Sequence, residues 1–138
     1  VTQSDINHLL YEAKDCCKKT IEKKKIIHMV INKYKVDNKD YSLLPYDIKC
    51  NNFSLEVNFS CISHEFIEDL EKILKKFQIS INQIISANYI KNFIKNNDED
   101  VFLMTKKIIN GHNPNEVKLV NKTRENKGFF EKFFNFFN

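Results

Sequence analysis

Glycine is nearly missing from this chain: among 138 residues only Gly111 and Gly128 are present. Loops that cradle phosphates need several glycines close together, for tight turns and close backbone approach. A nucleotide-binding fold of the usual kinds is therefore nearly excluded. Long apolar runs are missing too, since no stretch approaches the ~20 residues required to cross a bilayer. The first ten residues, VTQSDINHLL, lack a basic region followed by an apolar one, so they do not read as a secretory signal. They begin with Val rather than Met, as a fragment or processed product would. The four cysteines (Cys16, Cys17, Cys50, Cys61) show no CxxC spacing. Adjacent Cys16 and Cys17 are poor partners for each other, because a disulfide needs a particular Cα separation. The expectation is four reduced thiols in a cytosolic protein.

Neither sign of charge dominates. The formal net charge is +4, a mild excess that suits an anionic membrane surface as well as nucleic acid. The histidines (His8, His28, His64, His112) have no partners at ligand spacing, and no metal or cofactor is expected. Cys61 and His64 lie close together, but a nucleophile and base need an orienting group and an oxyanion site as well. The string Ser63-His64-Glu65 reads better as a capped helix start. Acidic pairs such as Glu68/Asp69 read as solvated faces. No catalysis and no small-molecule substrate are expected.

What is present is regular patterning. Over residues 2–17, Ile6, Leu9, Leu10, Ala13 and Cys17 recur at helical spacing, with Thr2 or Ser4 as cap and Asp5 placed for a capping box. Residues 18–25 read as a solvated connection. Residues 26–36, IIHMVINKYKV, predict a β-branched strand whose first half is apolar on both sides, hence central or doubly covered. NKDYSLLPYD reads as a loop. Residues 53–62 alternate cleanly, with Phe53, Leu55, Val57, Phe59 and Cys61 on one face. A helix follows Ser63, with Phe66, Ile67, Leu70, Ile73, Leu74 and Phe77 on one stripe. Ile84 to Ala87 read as a short third strand. Residues 89–110 predict further helix or strand, NGHNPNE a turn or linker, and the stretch to residue 127 a polar linker. The fold class expected is α+β, a small sheet of about three strands with two covering helices, plus a C-terminal amphipathic helix.

That last helix rests on GFFEKFFNFFN, residues 128–138, which hold six of the twelve phenylalanines. At ~100° per residue, Phe129, Phe130, Phe133, Phe134, Phe136 and Phe137 fill one arc of about 160°. Glu131, Lys132, Asn135 and Asn138 fill the opposite arc. Eleven residues make only about 16 Å of helix, too short to span a membrane but suited to its interface. Lys127 and Lys132, with Lys118, Lys122 and Arg124 nearby, favour an anionic surface. The reading is a reversible peripheral anchor. The alternative is a soluble adaptor whose tail docks on a partner or mediates oligomerisation. RNA binding is the third reading, suggested by the lysine runs. It is opposed by the best strand, whose Phe53 and Phe59 share the apolar face that helices should bury.

The strings VTQSDINHLLYEAK, KKIIHMVINKYKVDN, FSLEVNFSCIS and FIEDLEKILKKFQISINQIISAN, in that order, resemble the bacterial cell-division protein family FtsA. More narrowly, residues 1–88 are similar to the 1C subdomain that distinguishes FtsA from other actin-like proteins. In IEDLEKILKKFQISINQII, Gln78 and Ile79 stand where the family usually has Gly and Leu. FtsA proteins also end in a linker and a short membrane-binding helix, which the tail resembles. The resemblance implies an interaction domain (residues 1–88) that contacts division proteins and itself, a segment and linker over 89–127, and an anchor over 128–138. It implies a location at the inner face of the cell membrane, at the division site. The glycine-rich actin-like body is not in this chain, and DEDVFLMTKKIING leads into no phosphate loop. ATP binding and FtsZ tethering are therefore not carried over.

Overall fold

The computed structural model describes residues 1–45, 49–95 and 100–119 of the chain. The expected C-terminal helix, with Lys127, Phe129, Phe130, Lys132, Phe133, Phe134, Phe136 and Phe137, lies outside the described residues. Helix α1, Gln3–Thr20, opens with a complete capping box. The Asp5 N–H donates to Thr2 Oγ1 at 3.3 Å, and the Thr2 N–H donates to Asp5 Oδ2 at 2.7 Å. The helix runs through Thr20 and the next strand starts at Lys24, so only residues 21–23 of the expected solvated connection link the two.

Strand β1, Lys24–Val36, is the centre of a three-stranded antiparallel sheet. The chain then reverses through Asp37 and Asn38, whose φ angles are +41° and +69°. Two successive positive φ values are what a tight hairpin turn requires, and Asp and Asn tolerate them better than other non-glycine residues. Strand β2, Lys39–Tyr41, follows at once, with Val36 opposite Lys39. Residues 39–41, expected in a loop, are thus a strand, because the Asp-Asn turn sets them in register. Asp37 also holds the far end of the connection: its Oδ1 accepts the N–H groups of Asn51 and Asn52 at 3.0 and 2.8 Å.

Strand β3, Phe53–Ser63, pairs along the other edge of β1. Opposite residues share a face, so Met29/Phe59, Ile31/Val57, Tyr34/Leu55 and Val36/Phe53 form one apolar layer. Ile6 and Leu10 of α1 pack on it. Register shifts at 26–28 and 31–33 keep these residues on that face, each placing an extra residue on β1.

The other face of β1 is covered as well. Val30 packs against Tyr89 and Ile90 of helix α3 (Ala87–Lys91) and Met104 and Ile108 of helix α4 (Val101–Ile109). Two covered faces account for the doubly apolar first half of the strand. Ile84 to Ala87 are not a strand: Ser86 instead caps α3, its Oγ accepting the Tyr89 N–H at 3.3 Å. The edge of β1 beyond short β2 is taken by residues 115–117. The Ile31 N–H donates to Asn115 O at 2.9 Å and the Val117 N–H to Met29 O at 2.8 Å. The described residues after 88 therefore pack on the same sheet as those before it.

Candidate interaction surface

Helix α2, His64–Lys75, begins where β3 ends. Ser63 caps it, accepting the Phe66 N–H at 3.4 Å, and Glu65 lies in the first turn. Lys72 and Lys75 lie in the last turn, where positive charge complements the helix dipole. The helix ends at Lys75 and the turn after it closes at Gln78, whose φ of +59° lies in the left-handed region. The Gln78 N–H reaches Lys75 O at 3.0 Å and the Ile79 N–H reaches back to Leu74 O at 3.1 Å. These bonds satisfy terminal carbonyls in the way common at helix C-termini.

The apolar stripe of α2 is split by the fold. Ile67 is buried, and Leu70 and Leu74 are half-buried. Phe66, Ile73 and Phe77, at 57%, 53% and 70% exposure, face outward, and Ile79 continues the patch at 54%. Ile67, Leu70 and Leu74 are the covered residues of the stripe, leaving its Phe66–Ile73–Phe77 side in solvent. Exposed single apolar residues are ordinary, but several large ones aligned on one helix face mark an interaction surface. Burying a Phe or Ile side chain fully is worth ~1.5–3 kcal/mol, so this stripe holds enough transfer energy to drive docking. Val101, Phe102 and Leu103 at the start of α4 are a second exposed apolar group.

A buried polar network lies beneath, centred on His28, which is 3% exposed. Its Nε2 accepts the Ser86 N–H at 2.9 Å, so Nδ1 carries the proton and donates to Glu116 Oε1 at 2.8 Å. Tyr89 Oη donates to Glu116 Oε2 at 2.8 Å and accepts from Asn113 Nδ2 at 2.8 Å. The Tyr89 ring lies against the imidazole, with centroids 4.3 Å apart. Burial pushes the Tyr89 hydroxyl well above its usual range; the Asn113 hydrogen bond opposes this and the Glu116 carboxylate adds to it. Ser86, His28 and Glu116 resemble a nucleophile–base–acid sequence in type alone. The Ser86 hydroxyl caps α3 and the imidazole is bonded to a backbone amide, so the set locks α3 and residues 113–116 onto β1. A cleft of ≈ 660 Å³ opens beside it, walled by Ile26, Ile67, Ile81, Ile85, Ile108 and Val117.

The other residues singled out from sequence do not converge. His64 starts α2, and His8 pairs with Glu12 one turn along α1 at 3.3 Å. The four cysteines are free, although the fold brings the Cys17 and Cys61 thiols together. Among the described residues no cluster of three or more His, Cys, Asp or Glu side chains is placed to hold a metal. Among them, too, no helix is long and apolar enough to cross a membrane. The Glu116–Tyr89 part of the network was not readable beforehand. Its only sequence signal was a histidine inside an apolar strand, which demands a buried partner without naming one. No protein-family model, curated protein or solved structure matches the chain.

Proposed function

We propose that the chain is a non-enzymatic, FtsA-like protein-interaction module of bacterial cell division. The α2 stripe is its docking surface, and the phenylalanine tail holds it at the inner face of the cytoplasmic membrane. The observation that carries the reading is the outward exposure of Phe66 and Ile73 on α2, continued by Phe77 in the turn that ends it. Gln78 lends support to the family comparison. It adopts a left-handed conformation, φ +59°, at the position where the resemblance puts a glycine. The sheet lends support against RNA binding, since Phe53 and Phe59 pack into the α1 layer and are not free to stack bases.

The test separates the two halves of the reading. Phe133→Asp with Phe134→Asp is expected to abolish cosedimentation with anionic liposomes, and Phe66→Asp with Phe77→Asp to leave it intact. On those liposomes the second pair is expected to lose recruitment of purified division proteins. A wild-type chain that ignores anionic liposomes overturns the anchor. Recruitment that survives Phe66→Asp with Phe77→Asp overturns the docking surface.

A further inference from the structure

We infer that the α2 stripe is one half of a two-fold interface whose other half is the same helix of a second copy, docked antiparallel. This rests on the interaction-module reading and names a partner for it.

Spacing is the first ground. Phe66, Leu70 and Ile73 of α2, with Phe77 in the turn that closes it, are separated by four, three and four residues, the repeat with which two helices pack side by side. A two-fold axis between Leu70 and Ile73 sets Phe66 against Phe77 of the other copy, and Leu70 against Ile73. Each layer then joins residues of similar size, ring to ring at the ends and aliphatic to aliphatic in the middle.

Charge supplies the direction. Glu65, Glu68 and Asp69 occupy the first half of α2, and Lys72, Lys75 and Lys76 the second half with its cap, where the one acid, Glu71, lines the cleft on the side away from the stripe's open margin. Parallel docking lays like charges along each other, whereas antiparallel docking lays acid along base. The stripe has two margins. One carries Ile67 and Leu74, which turn into the chain's own domain. The open margin carries Asp69 and Lys76, one position ahead of Leu70 and Phe77. Antiparallel docking brings Asp69 of each copy toward Lys76 of the other, twice by symmetry. Within one copy Asp69 already meets Lys72 at 3.2 Å in an exposed pair, a contact weak enough to exchange.

Size sets the strength. A seam of four residues per helix falls short of the ~1,200 Å² of a standard stable interface, so the pair is weak and reversible in solution. Confinement to a membrane by the tail raises the effective concentration and favours pairing there.

The experiment is sedimentation equilibrium of the full chain without lipid. The wild type is expected to show a monomer–dimer equilibrium, and Phe77→Asp to weaken it at least about tenfold. Phe77 is exposed, so an unchanged circular dichroism spectrum confirms that the variant folds. Asp69→Lys and Lys76→Asp should each weaken dimerisation. Mixing those two single variants should restore it as a heterodimer, and D69K combined with K76D should restore it in one chain. A wild type that remains monomeric overturns the pairing, as does failure of the mixture to associate. Association lost on removing residues 128–138 but untouched by Phe77→Asp also overturns it, assigning the contact to the tail. In any of these cases, continued recruitment of division proteins through Phe66 and Phe77 on liposomes leaves the interaction-module reading standing.

Discussion

His28 and Glu116, 88 residues apart, are joined by a 2.8 Å hydrogen bond on the covered inner side of β1. The same carboxylate accepts the Tyr89 hydroxyl, so a single side chain ties α3 and the 115–117 segment to the central strand.

Glu116→Ala is expected to destabilise the fold by roughly 2–4 kcal/mol, because it strands the His28 Nδ1–H and the Tyr89 O–H in a buried site. Glu116→Gln keeps an acceptor and should lose less. Urea unfolding checks this: the midpoint should fall in that order, with the slope unchanged. Equal midpoints for wild type and Glu116→Ala would mean that the network contributes nothing.

Stability should decline in alkali through the buried tyrosines. Burial raises both Tyr34 and Tyr89, the latter helped by Glu116 against the opposing Asn113 bond. The fold thus favours the neutral phenol, and that contribution is complete below the ordinary value of ~10. Above it the unfolded chain binds fewer protons than the folded one, so stability falls with rising pH, by up to ~1.4 kcal/mol per unit for each tyrosine. Tyr89→Phe should make the decline between about pH 9 and 11 shallower. Unfolding curves across that range would refute this if the two slopes coincide.

Gln78→Gly should stabilise the protein by ~0.5–1 kcal/mol, since a side chain at φ +59° suffers a clash that glycine avoids. Gln78→Ala retains the Cβ and should bring no such gain. Thermal unfolding of the two variants distinguishes relief at this one dihedral from a general effect of shortening the side chain.

Periodicity made α1, β1, β3 and α2 legible, because each carries a long, clean alternation or stripe that local sequence alone specifies. Shorter elements were not. β2 depends on two consecutive left-handed residues, and Asp37-Asn38 signals a turn without saying that a strand resumes behind it. Ile84 to Ala87 have strand-like composition, yet the Ser86 amide is claimed by His28, far away in the chain. Local propensity yields wherever a distant partner satisfies the backbone first.

The amino-acid order by itself determined that β1 would be either central in its sheet or covered on both faces and that α2 would carry an apolar stripe, since both follow from side-chain spacing along one element. Only the tertiary structure decided what sheathes that strand and how far the stripe is left bare. Those outcomes depend on where remote segments come to rest. Residues 87–95 and 100–117 took the second face of β1 through Val30 and the His28–Glu116 bond, while α2 has only Ile67 fully inside.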